Sequence, residues 1–144
     1  MGVSPVRKQL AELRVIQLML LITIILFGVF VRSLQPTEAI KKPLNTILIV
    51  IGVCDAALAL GLRGKYFGPA ESAARENPAN LNALLRWRKA TITCLVFAYS
   101  LGIYGFALAM YGAQRIEFLT FFGASILLLL LWTPRLDLPS GLGE

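Results

Sequence analysis

The chain has 144 residues, 57% apolar and 15% charged, with no histidine, two cysteines and a net charge of +6; its mean hydropathy is +0.72. A soluble domain carries about 45–50% apolar and about 25% charged residues, so this balance points to lipid as the solvent. The longest polar connection, residues 63–89, is shorter than the roughly 50 residues of a compact domain, which excludes a separate catalytic or nucleotide-binding unit.

In chain order, residues 1–14 are polar and basic, with Leu10 and Leu13 on one side of a turn. They read either as a short surface helix or as a solvated lead-in. A first membrane span is expected over about 15–34. Its exit, Val31-Arg32-Ser33-Leu34-Gln35-Pro36, has no small-x-small cleavage site, so it reads as an uncleaved span and not as a signal peptide. Pro36 and Pro43 bracket an outer connection containing Lys41-Lys42. A second span follows over about 44–62. Gly61, Gly64 and Gly68 are then expected to break the helix, with Tyr66-Phe67 at the level of an interfacial aromatic belt. Asn77-Pro78 reads as an N-cap followed by proline at the first helical position, so the third helix should begin near residue 78, ahead of a third span over about 90–111. Its extension carries Leu81, Leu84, Leu85 and Arg88 as a stripe. A fourth span is expected over about 116–133, each span approaching the roughly 20 residues that cross a bilayer core. The fold class is therefore an all-α membrane protein, one transmembrane domain over 1–144, with four transmembrane helices arranged as two antiparallel hairpins.

Lysine and arginine placement sets orientation. Arg7, Lys8, Arg14, Arg63, Lys65, Arg75, Arg86, Arg88, Lys89 and Arg135 fall on one side, against Arg32, Lys41, Lys42 and Arg115 on the other. Both termini and the central connection are expected to be cytoplasmic. Arg86, Arg88 and Lys89 form a basic collar suited to anionic lipid, and Trp87 and Trp132 mark the same interface as anchors. The positive balance therefore belongs to lipid and orientation, not to nucleic acid. A weak internal repeat, Leu13-Arg14 with Phe27-Gly28 and Leu85-Arg86 with Tyr104-Gly105, is compatible with a duplicated hairpin.

Asp55 stands apart. It lies about 11 residues, about 17 Å, into the second span at 1.5 Å per residue, near the bilayer midplane, where a carboxylate must find a polar partner or a proton. Tyr99 and Ser100 fall at nearly the same depth, and Gln17 about two turns nearer the cytoplasm by the 3.6-residue turn. A hydrogen bond from Tyr99 or Ser100 to Asp55 is the expected arrangement. The site reads as a proton or cation site, as a neutral hydrogen-bonded acid, or as an acid paired with a neighbouring subunit. With no histidine and no second membrane-buried charge, a proton relay has one titrating station.

Gly52 and Ala56, Ala98 and Gly102, and Gly105 and Ala109 are small-xxx-small pairs that allow close backbone approach, either between the second and third spans or against another subunit. Those two spans are expected to be the closest-packed. The fourth, with Ile126 to Leu131 aliphatic, is expected to meet lipid around most of its circumference, and Glu117 reads as a helix-capping acid. Cys54 and Cys94 read as small hydrophobes. No metal-ligand spacing, no nucleophile–base pair and no cofactor motif is present, so no catalytic residues are assigned.

The run Leu85-Arg86-Trp87 into Tyr104-Gly105, with Phe118, Phe121-Phe122, the leucine run and Trp132-Thr133-Pro134-Arg135, resembles small four-helix bacterial inner-membrane proteins without assigned function. That resemblance covers the C-terminal half and implies a bacterial inner-membrane location. In size, helix count and a second-helix acid at Asp55 the chain also resembles the rotor proteolipids of rotary ATPases, which implies an ion-carrying carboxylate. It departs from them in lacking their glycine-repeat helix and a midspan carboxylate in its fourth helix. The functional expectation is a small non-catalytic accessory subunit of a larger membrane complex, in contact with anionic lipid and other subunits. The alternative is an ion-translocating subunit or small transporter centred on Asp55.

Overall fold

The computed structural model of the protein describes residues 5–33, 42–77 and 80–134. Within them all regular secondary structure is helical: α1 Pro5–Ser33, α2 Lys42–Leu62, a π-helical turn Arg63–Phe67, α3 Gly68–Glu76, α4 Leu81–Met110 and α5 Arg115–Leu131. Three helices, Val6–Ser33, Thr46–Glu76 and Leu81–Met110, are long and apolar enough to cross a membrane. At 1.5 Å per residue the 30 residues of α4 run about 45 Å, well beyond a hydrocarbon core of about 30 Å. The 17 residues of α5 run about 26 Å.

The glycines after α2 do not stop the helix. Leu62 and Gly68, on either side of the π turn, both keep right-handed helical dihedrals, so α2, the turn and α3 form one continuous helical path. An α-carbon substituent at Gly61, Gly64 or Gly68 would meet nothing within 4 Å; these glycines are not forced by packing, and helical hydrogen bonding carries through them. The start of α4 is also shifted from the sequence expectation. Asn77 caps the C-terminal end of α3, while Asn80 is the N-cap of α4, its side chain accepting from the Asn82 and Ala83 amides at 3.0 and 3.4 Å. Pro78 lies outside the described residues, as do Pro36, Lys41 and Arg135.

Helix α4 is the hub, packing against α1, α2, α3 and α5, most extensively against α5. This reverses two expectations. The tightest pair is α4 with α5, not α2 with α4, and α5 turns a full face of Phe121, Phe122, Ser125 and Leu129 inward. Nor do α1 and α2 close on one another as a packed hairpin; among the described residues each reaches α4 instead. The reason lies in small residues on the receiving faces. Ile24 of α1 fills the space over Gly102, and Phe121 of α5 sits on Gly52 of α2.

At one end, here called the basic end, the helices continue past the bundle. Val6 and Leu13 of α1, Ala74 of α3, and Leu84 and Trp87 of α4 form a separate buried cluster, and Arg88 pairs with Glu12 at 3.1 Å. The lead-in 5–14 is therefore part of α1. At the opposite end α4 turns into α5 through Gly112, at φ 73°. Ala113 N–H donates to Leu108 C=O at 3.0 Å and Gly112 N–H to Ala109 C=O at 3.2 Å, the paired bonds of a Schellman C-cap. Glu117 closes the first turn of α5 by accepting from the Gln114 amide at 3.0 Å.

Candidate functional site

The inward face of α2 is narrow: Leu48, Gly52, Ala56 and Ala59 recur at helical spacing, and Asp55 falls on the same strip. Its carboxyl is only partly buried. The Ser100 hydroxyl of α4 donates to Asp55 Oδ2, joining the two helices near mid-length. The same hydroxyl oxygen lies 2.7 Å from the Phe97 carbonyl on its own helix. One hydroxyl proton serves one acceptor at a time, so Ser100 divides its donor between the carboxyl and the backbone.

The four polar residues grouped by depth do not form one site. Tyr99 packs against the main core cluster, which includes Ile24, Leu95 and Phe122. Gln17, only 9% exposed, is a second, separate site: its side-chain amide donates to Leu129 C=O at 2.5 Å and to Thr133 Oγ1 at 3.1 Å. Leu129 belongs to the last turn of α5, whose carbonyls lack intrahelical donors. Gln17 is thus a capping group supplied from another helix, which depth counting missed because it required knowing that α1 and α5 are neighbours.

The small residues of α4 are spaced to receive α5. Ser125 donates to the Ala98 carbonyl at 2.6 Å. A β-carbon at Gly105 would lie 3.1 Å from the Phe118 carbonyl oxygen and 3.3 Å from the Phe122 amide nitrogen, both backbone atoms. Ala109 packs at the edge of the main core and Ala56 at that of the Leu101–Leu108–Phe121 cluster.

The tryptophans are placed differently from lipid-facing anchors. Trp87 is 0% and Trp132 5% exposed; both rings are inside the protein, at the basic end. The Arg63 guanidinium lies 5.1 Å from the Trp132 ring centroid and 5.8 Å from that of Phe67, a distance suited to cation–π attraction. Of the collar, Arg86 and Lys89 are exposed and Arg88 is engaged with Glu12. Among the described residues no group of three metal-ligating side chains converges. Cys54 is exposed on the outer side of α2 and Cys94 is buried.

A cavity of about 450 Å³ also opens at the basic end, between the π turn with α3 and the start of α4. No sequence signal pointed to it, because its walls come from two segments that meet only through the continuous helical path after α2. Comparison of the chain with protein-family models, curated proteins and solved structures gives no match.

Proposed function

We propose that the protein is a small non-catalytic accessory subunit of a larger complex in a bacterial inner membrane. In this reading α5 is a fourth span and both termini are cytoplasmic. The observation that carries it is the setting of Asp55. The carboxyl is partly exposed on α2, which hangs on one side of α4 and presents Ile47, Val50, Ile51, Val53, Leu58 and Leu60 outward. Ser100 is its one hydrogen-bonding partner among the described residues. Lipid covers aliphatic side chains readily but is a poor neighbour for a carboxyl at mid-depth, so a second polypeptide against the exposed side of the Asp55 carboxyl best accounts for it. The resemblance of the C-terminal half to bacterial inner-membrane proteins supports the location, and the lysine and arginine bias supports the orientation.

Gentle detergent extraction followed by native mass analysis tests the subunit reading: the chain is expected to come out with other polypeptides, and a 15.8 kDa monomer seen repeatedly overturns it. Single cysteines on a cysteine-free background test topology, with Ser72→Cys labelled from the cytoplasmic side and Gln114→Cys from the outer side.

An ion-translocating role is the second reading, favoured by the contact of Asp55 with a hydroxyl that has two acceptors within reach. Asp55→Asn separates the two. Normal assembly with abolished ion movement supports translocation; unchanged ion movement supports the accessory role.

A further inference from the structure

The cavity at the basic end is a built feature. Between the aromatic wall of Tyr66 and Phe67 and helix α4, the facing side chains are short, Ala70 and Ala73 from α3 and Ala90 from α4, which leaves the space open. The π turn keeps α2 and α3 continuous while adding a residue to the turn, which changes the direction of the side chains that follow; such turns are frequent at functional sites. Below, Ala74 is packed with Leu84 and Trp87, which holds α3 against α4 and fixes the width of the opening.

Its chemistry is divided along the helix axes. Leu62 and Cys94 line the part toward the bundle, whereas Lys65, Arg86 and Lys89 line the part away from it. All three cations are exposed, and among the described residues none is in an ion pair. By contrast, Arg75 is held by Glu71 at 2.6 Å and Arg88 by Glu12. Three cations outside ion pairs, Lys65 resting 5.8 Å from the Tyr66 ring centroid, over an apolar pit match an amphiphile whose anionic end faces water and whose chain enters the bilayer. A free phosphate would gain nothing from Leu62, Cys94 and the alanines.

We propose that this cavity binds the phosphate and glycerol of an anionic phospholipid of the cytoplasmic leaflet, between Lys65, Arg86 and Lys89, with the start of one acyl chain against Leu62 and Cys94. The proposal rests on the membrane placement given above and not on the accessory role, and the cysteine-labelling experiment tests that placement independently.

Native mass spectrometry of the detergent-released protein, titrated with phosphatidylglycerol, phosphatidylcholine of the same chains, or glycerol 3-phosphate, tests it. Phosphatidylglycerol is expected to bind preferentially. Paired Arg86→Gln and Lys89→Gln should weaken it about thirtyfold, the scale expected for two cations near a head group, while paired Lys8→Gln and Arg14→Gln, equal in charge but outside the cavity, should leave it within about twofold. Ala73→Phe, which fills the cavity with every charge intact, should abolish binding and decides the matter if the charge variant fails to fold. Equal binding of phosphatidylcholine, equal binding of glycerol 3-phosphate, equal loss in both charge pairs, or full binding by Ala73→Phe each overturns the proposal.

Discussion

Ser100 of α4 donates to the carboxyl of Asp55 on α2 while its oxygen also lies 2.7 Å from the Phe97 carbonyl. The backbone contact gives the hydroxyl an acceptor even when the carboxyl is gone; the carboxyl has no such reserve among the described residues. Ser100→Ala is therefore expected to cost more than Asp55→Asn. An asparagine amide keeps a hydrogen bond to Ser100, whereas alanine at 100 leaves the carboxyl unpartnered, a loss of about 1–3 kcal/mol. Thermal unfolding in detergent of both single variants and the double variant measures the order and the coupling.

Gln17 gives a second expectation. Its amide caps the Leu129 carbonyl and reaches Thr133, tying the basic end of α1 to the end of α5. Gln17→Leu keeps the volume and removes both donors, and is expected to cost about 1–2 kcal/mol. Amide exchange should rise at the C-terminal turn of α5, with the opposite end of the helix unchanged.

The glycines divide into two groups. At Gly105 an added methyl meets the Phe118 carbonyl oxygen, the Phe121 Cβ and the Phe122 amide nitrogen at 3.1–3.3 Å, so α5 has to shift by a few tenths of an ångström, and Gly105→Ala is expected to destabilise by about 1–3 kcal/mol through overpacking. At Gly112 the positive φ makes alanine costly by about 1 kcal/mol. Gly61→Ala and Gly123→Ala sit in helices with open space around the added methyl and should raise stability by about 0.4–1 kcal/mol. Melting temperatures of the four variants check the signs.

Buried tryptophans make a spectroscopic test. With Trp87 and Trp132 both inside the protein, emission should be blue-shifted and only weakly quenched by acrylamide or by brominated lipid. Strong quenching by brominated lipid would place the rings at the lipid surface. Arg63→Leu removes the cation 5.1 Å from the Trp132 ring and is expected to shift the emission in a Trp87→Phe background, with a loss of about 0.5–1 kcal/mol.

Much of the helix layout could be read from the residues, because hydropathy and charge act on each segment by itself. The apolar runs, the acid at the N-terminal turn of α5 and the depth match of Asp55 with Ser100 all follow from counting along single helices. The N-cap of α4 is Asn80, three residues beyond the Asn77 that the sequence pattern favours, since both asparagines suit a cap and only the path of α3 into α4 selects between them. Gly61, Gly64 and Gly68 looked like breakers because propensity is a local preference of about 1 kcal/mol, easily outweighed when α3 packs on α4.

The sequence alone set the length and apolar character of α1 and α2, enough to cross a membrane, because a helix closes its backbone bonds within the segment. It also isolated Asp55 as the one charged residue deep in a span. Only the tertiary structure decided who meets whom. It made α4 the hub, sent Gln17 to the end of α5, drew Trp87 and Trp132 inside, and left a cavity between Lys65, Arg86 and Lys89. Those outcomes depend on which small residue receives which large one across helices, a matter of shape complementarity between segments distant in sequence that no periodicity within a single segment records.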